Sequence, residues 1–428
     1  MVLLFFWVFL AAMALGVPIV FALGFSPLVG FLVTDKMVFL NMIVQRSFAG
    51  INQFPLLAIP FFILAGEAMN RGGITLRLVE FANSVVGHLR GGLAHVNVLT
   101  SMLFAGLSGS AVADTSAIGS ILIPAMEKAG YSRKFAAAIT AASSVIGPII
   151  PPSIIMVIYA FMMNVSVAGL FAAGLIPGLI VGIALMGAVG VISKKRNYPK
   201  AERRATVAEV GVATRGAILP LMTPVIILGG ILGGVFTPTE AASVAAVYAL
   251  FLGLFVLKTI KFKELQGIFL RAAISSAAIL LVVGTATAFA WIATLSNVPT
   301  LLTELVFSIT DNPYLLLFMI NVLLLIVGMF LDAGPAILIL GPILAPTMVQ
   351  LGIDPLHFAI IMCVNLTVGL ATPPMGLVLF VASSVSRLGV EVIAREMIPF
   401  LIIEIGVIFL ITYIPAISMT LPRLLGFA

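Results

Sequence analysis

Gly147-Pro148-Ile149-Ile150-Pro151-Pro152-Ser153 and Gly369-Leu370-Ala371-Thr372-Pro373-Pro374 interrupt two otherwise apolar runs, 134–162 and 355–385. Proline removes a backbone donor and its ring clashes with the preceding turn, so neither run can be one continuous helix. Each is expected as two half-helices around an unwound middle. A shift of 222 residues carries Gly147 onto Gly369, Pro151 onto Pro373 and Pro152 onto Pro374. The same shift carries Gly106 onto Gly328, Gly119 onto Gly341, Pro124 onto Pro346, Met126 onto Met348, Gly130 onto Gly352 and Pro177 onto Pro399. Gly and Pro fix backbone shape, so a gapless match of this kind marks an internal structural repeat.

Ahead of each interruption lies a second oddity. Run 92–127 is too long for one span and is broken by Gly106-Leu107-Ser108-Gly109-Ser110; run 314–350 is broken by Gly328 to Pro335. A polar, glycine-rich break at membrane depth is tolerated only where protein or a water-filled cavity covers the freed backbone groups. Both runs are therefore expected as re-entrant hairpins.

Composition places all of this in a bilayer. Of 428 residues, 62% are hydrophobic and 9% charged, and mean hydropathy is +1.26. Soluble domains carry roughly 25% charge, so a soluble enzyme, a disordered chain and a secreted disulfide scaffold are excluded. The remaining apolar runs are 2–15, 18–33, 54–70, 164–192, 216–236, 240–257, 272–296 and 397–418. Residues 2–33, turning at Gly16-Val17-Pro18, read as two short spans or one kinked helix. Segments 36–52 and 74–90 mix apolar with polar residues and are expected along the membrane surface. Cys363 lies in an apolar run and is expected to be a buried packing residue.

Seven basic residues between Lys194 and Arg215 mark the loop 193–215 as cytoplasmic. Five crossings per half then put 19 of the 22 Lys and Arg inside, leaving Lys36, Arg46 and Arg423 outside. The fold expected is an all-α polytopic membrane protein of two inverted repeats, 1–192 and 216–428, joined by that loop. Both termini lie outside, and the hairpins open to opposite sides.

Inverted repeats with broken helices are the pattern of secondary transporters. A half-helix N-terminus offers backbone N–H groups to an anion, and unwound carbonyls can replace the water around a cation. Ser108, Gly109, Ser110, Asp114, Thr115 and Ser116 sit at or just beyond the first hairpin tip, and Asp332 and Gly334 at the second. Candidate substrate contacts are Ser108, Gly109, Ser110, Asp114, Asp332, Pro373 and Pro374. A hard cation such as Na⁺ suits the oxygens of each tip-and-break pair.

An ionised side chain at mid-membrane costs about 2.5–3.5 kcal/mol. Glu67, Asp114, Glu240, Asp332 and Glu404 must therefore be near water, paired or functional. Asp114 reads either as the cap of the second hairpin helix or as a functional acid. Glu240, after Thr237-Pro238-Thr239, reads as a first-turn helix acid. His88, His95 and His357 show no metal-ligand spacing and are expected in structural roles. The sequence has no phosphate-loop or H-E-x-x-H pattern, so ATP is not expected to power transport within this chain, and nothing points to nucleic acid.

Five stretches carry a family resemblance: Ile59 to Glu67, Leu107 to Thr115, Gly147 to Ser153, Phe236 to Ala242, and Asn365 to Gly376. On these the chain resembles the large membrane subunit of the tripartite ATP-independent periplasmic (TRAP) transporters. The resemblance implies a sodium symporter of the bacterial inner membrane working by an elevator movement. It implies small organic acid substrates, C4-dicarboxylates and sialic acid among them, delivered by a periplasmic binding protein. It also implies a separate small membrane subunit of about four helices, which some members fuse to the large one. One family sodium site falls on Ser108, Ser110, Gly147, Ile150 and Pro152, and the other on Gly328, Gly369, Thr372 and Met375. The alternative is a carboxylate carrier that needs no binding protein. A respiratory subunit would want intramembrane histidines or a ladder of charges, and a channel has little use for two opposed hairpins.

Overall fold

The computed structural model describes residues 2–33, 37–201, 203–298, 300–301, 304, 310 and 312–427. The protein is an all-α membrane protein. Seven described helices are long and apolar enough to cross a bilayer, and a bent pair makes an eighth. Lys36, expected outside, lies beyond the described residues.

The two runs that carry paired prolines, 134–162 and 355–385, each break at the pair. The first hairpin is α6 (Gly92–Ser108) and α7 (Ala111–Lys128); the broken helix behind it is α8 (Arg133–Ser144) and α9 (Ile154–Met163), followed by α10 (Val167–Lys195). The second set is α14 (Pro313–Phe330), α15 (Ala333–Gln350), α16 (Pro355–Gly369), α17 (Leu377–Ser386) and α18 (Val390–Tyr413), with α19 (Ala416–Leu424) last. Ala111 and Ala333 open equivalent helices 222 residues apart, as do Arg133 and Pro355.

The shift also reaches the flanking frame. Helices α3 (Leu40–Ile51) and α4 (Ala58–Arg71) are bent by 58°. Their counterpart is α13 (Phe262–Leu295), a single helix of 34 residues. Pro55 stands in the bend, where α13 has Ala277. Within segment 36–52, α3 thus forms one limb of a bent element that packs on α13. Its Gly50 abuts Thr287 of α13, and Arg46 lies 5.5 Å above the Trp291 ring. Helices α1 (Val2–Ala14) and α2 (Ile19–Val33) turn back on each other, with Phe5 beside Gly30. Two short antiparallel helices form here instead of one kinked one, because Gly16 takes a left-handed φ of +76° and reverses the chain. The frame is completed by α5 (Ile74–Val86), α11 (Val207–Leu232) and α12 (Pro238–Phe251).

The halves interlock by exchange. Helix α7 packs on α17 of the other repeat, and α15 packs reciprocally on α9. Among the described residues the two hairpins meet at a cavity between their tips and pack little along their arms.

At the root of α8, Glu396 of α18 receives Arg196 from the end of α10 and Lys134 at 3.4 Å. Arg196 also lies 5.6 Å over the Phe135 ring, and Tyr198 stacks on Tyr131 and Phe135 at 4.6 and 4.8 Å. The Glu396 side chain is 7% exposed while both cations are partly exposed. Glu396→Ala should therefore cost about 1–2 kcal/mol, below the value for a fully buried pair. A thermal midpoint of the detergent-solubilised variant equal to that of the parent would refute this. Cys363 is buried and free, as expected. His357 bonds Ser418 Oγ at 2.7 Å and the Thr412 carbonyl at 3.2 Å, a structural role.

Candidate functional site

The first break is wholly buried from Val145 to Ser153. Helix α8 gives way ahead of Pro148 and Pro151-Pro152, which lack backbone donors, and α9 restarts with Ser153 accepting the Met156 N–H at 3.4 Å. Among the described residues, the carbonyls of Gly147 through Pro152 accept no hydrogen bond. Buried carbonyls without donors are costly. In the second break Ala371 through Met375 are likewise without backbone donors, and Gly376 N–H donates to the Met329 carbonyl of the second hairpin at 3.1 Å.

Each hairpin lies on the break of its own repeat at backbone contact. Gly109 ends α6 with a φ of +58°, and a Cβ there would stand 2.7 Å from the Pro152 carbonyl oxygen. Gly147 faces the Ser110 carbonyl. Gly328 and Gly369 touch Cα to Cα so closely that a Cβ on either would strike the other's backbone. At the first junction the structure thus sets Gly109 and Ser110 against Gly147 and Pro152, with Ser108 and Ile150 a residue or two away along the chain. At the second it sets Gly328 against Gly369; Thr372 and Met375 follow in the same break, where the Thr372 hydroxyl donates to the Val368 carbonyl at 2.8 Å.

Between the tips lies a cavity of about 270 Å³. Gly109, Ser110, Asp332 and Gly334 form its polar ends; Ile154, Ile155 and Ile158 of α9, Ile279 and Val282 of α13, and Leu338 of α15 form its walls. Helices α7, α9 and α15 all begin at residues lining it. Three N-termini therefore present backbone N–H groups and dipole ends to one space, an arrangement suited to an anion. A more polar chamber of about 470 Å³ adjoins it, sharing Ser110, Ile154, Ile279 and Asp332, and adding Glu67, Asn70, Ser108, Ser116 and Ser275. Both chambers border α13 and the second also borders α4, and the hairpins touch these helices directly as well: a Cβ on Gly66 would stand 3.6 Å from Ser108 Cα, and α15 packs on α13.

Ser108, Gly109, Ser110 and Asp332 thus line the space expected for substrate. Asp114, Pro373 and Pro374 do not. Pro374 is exposed, and Asp114 is wholly buried. The cap of α7 is Ser110, which accepts the Ala113 N–H at 3.4 Å; the capping alternative for Asp114 fails because Ser110 already stands directly before the helix. Ser101 is the side chain that faces the Asp114 carboxyl group, whose oxygens make no close hydrogen bond among the described residues. Around it Ser101 bonds Ser143 at 3.0 Å and Thr115 bonds Ser144 at 2.7 Å. Asp332 caps α15 through the Ala333 N–H at 2.8 Å. Glu67 pairs with Arg271 at 3.0 Å. Glu240 closes a capping box with Thr237, the structural reading of that acid. Glu404 is buried without a partner and lines neither chamber.

The cavity walls on α9 and α13 were not among the sequence candidates. Isoleucine facing a cavity and isoleucine facing lipid leave the same trace in a sequence.

The family described as "Tripartite ATP-independent periplasmic transporter, DctM component" matches residues 6–417. The sialic acid TRAP transporter large permease protein SiaM of Vibrio cholerae is 43% identical, over 96% of this chain and 95% of its own length. The C4-dicarboxylate TRAP transporter large permease protein DctM of Pseudomonas aeruginosa is 42% identical, over 89% of each chain. Among solved structures, the YdaH transporter of Alcanivorax borkumensis superposes with a TM-score of 0.64 at 17% identity, covering 100% of this chain and 98% of that one. That likeness concerns the fold.

Proposed function

The chain belongs to the DctM component family of the tripartite ATP-independent periplasmic transporters, and from that premise we propose that it is the sodium-coupled permease for a small organic acid. It is a TRAP large permease and a multi-pass membrane protein. In this reading two Na⁺ ions sit at the junctions of tip and break, and the acid occupies the cavity between the tips. The hairpins and broken helices slide together against the frame of α1–α5 and α11–α13. The acid arrives on a periplasmic binding protein, a small membrane subunit completes the frame, and the assembly sits in a bacterial inner membrane.

The observation that carries the reading is the set of buried carbonyls from Gly147 to Pro152 without donors. A cation at that point recovers the energy of burying them, and a carboxylate beside it is met by the three helix N-termini. Binding of one then favours binding of the other.

Reconstitution tests the tripartite arrangement. Proteoliposomes holding this chain, the small subunit and the binding protein should accumulate labelled acid when Na⁺ is imposed outside. Omitting either partner should abolish accumulation. Uptake by this chain alone would instead establish a carrier independent of a binding protein.

A further inference from the structure

The inference concerns the body of the substrate and rests on the proposed carrier reading. The chamber between the tips offers the side-chain oxygens of Ser110 and Asp332 and otherwise aliphatic or glycine surface. Among the described residues no Lys, Arg, His, Asn, Gln or aromatic ring lines it. We propose that the substrate is a monocarboxylate with a short branched aliphatic body: its carboxylate faces the convergent starts of α7, α9 and α15, and its alkyl chain lies among Ile154, Ile158, Ile279 and Leu338.

Two features favour this class. Against the isoleucine walls a polyol body would leave hydroxyls unpaired, and an unpaired polar group in such a site costs binding by a factor of about 100. A dicarboxylate would carry its second charge into chambers whose described titratable lining groups are the acids Asp332 and Glu67. Arg271, held by Glu67, is not among the described residues lining either chamber. A single carboxylate needs no such base, because backbone N–H groups and a coupling cation suffice. The polar chamber beside the first adds Asn70, Ser108, Ser116 and Ser275, where a hydroxyl or oxo group next to the carboxylate finds partners while the alkyl chain stays among the isoleucines.

The test uses the large and small subunits together in nanodiscs, without the binding protein, whose own selectivity would otherwise mask that of the permease. Thermal stabilisation is titrated with 4-methyl-2-oxopentanoate, succinate and N-acetylneuraminate, each in Na⁺ and in K⁺. The branched oxo acid should half-saturate at a concentration at least about 10-fold below the other two, and in Na⁺ only. Ile158→Ser should weaken 4-methyl-2-oxopentanoate by about 10-fold while leaving pyruvate, whose methyl is too short to reach the wall, unchanged. Retained pyruvate binding shows that this variant is folded. Succinate or N-acetylneuraminate binding as tightly as the branched acid would overturn the substrate class and leave the carrier reading standing. So would an Ile158→Ser protein with undiminished affinity. If no acid stabilises the protein in either cation, both readings fall together.

Discussion

Gly369→Val is expected to reach the membrane and to lose at least about 100-fold in sodium-driven uptake, the loss that follows a displacement of about 1 Å at a reacting or binding centre. A Cβ on Gly369 would stand 2.5 Å from the Gly328 Cα and 2.6 Å from its carbonyl carbon. Both are backbone atoms and cannot rotate aside, so the second hairpin has to retreat from its break. That moves the oxygens of Thr372 and Met375 relative to Gly328. Gly328→Ala presses on the same contact from the other side and should not add to Gly369→Val in the double variant. Gly147→Ala, in the first repeat, meets its nearest atoms at 3.1 to 3.3 Å and should be milder, about 10-fold. Gly406→Ala on α18 meets no atom within 4 Å and serves as the control. Initial uptake rates in proteoliposomes, corrected for incorporated protein, decide the matter. A Gly369→Val protein transporting as fast as Gly406→Ala would contradict it.

The second large effect is expected at Asp114. Its carboxyl group is wholly buried with only the Ser101 hydroxyl facing it among the described residues, a condition that burdens stability and persists where the group has a use. Four residues, about 6 Å of helix rise, separate it from the tip at Ser110. At a separation of about 7 Å and an effective dielectric near 20, it attracts a cation by about 2.4 kcal/mol, roughly 50-fold in affinity. Asp114→Asn should therefore raise the Na⁺ concentration for half-maximal uptake by about 10- to 50-fold while leaving the thermal midpoint unchanged or higher. The second repeat has Ala336 at the equivalent position, so the effect belongs to the first sodium site. An unaltered Na⁺ dependence, with uptake reduced or not, would refute this role for Asp114.

What could be read from the residues follows from which of them dictate backbone shape. The four proline- and glycine-laden interruptions were legible because a missing donor or a missing Cβ acts locally, whatever surrounds it. The repeat was legible from Gly106 onward for the same reason. Its extension to α3, α4 and α13 was not, since one copy bends at Pro55 and the other runs straight past Ala277. The packing of 36–52 on α13 was hidden, because an amphipathic stripe looks alike against a lipid surface and against another helix; Gly50 seats the stripe on Thr287.

The tips of the candidate site were legible in Ser108, Ser110 and Asp332, polar residues where apolar ones are the rule. Its walls on α9 and α13 were hidden among residues indistinguishable from lipid-facing ones. Pro373 and Pro374 marked the second break truly, yet neither lines the cavity, because an interruption shows where the chain unwinds and not which way it faces.

Sodium titration of uptake by the complete transporter tests the central claim most directly: that carbonyls freed by the two breaks, closed over by the two tips, form the cages for the coupling ions. Initial rates measured at fixed membrane potential should rise with Na⁺ along a sigmoid of Hill coefficient approaching about 2, the number of cages, and vanish when K⁺ replaces Na⁺. Equal rates in K⁺, or uptake driven by a proton gradient without Na⁺, would contradict it.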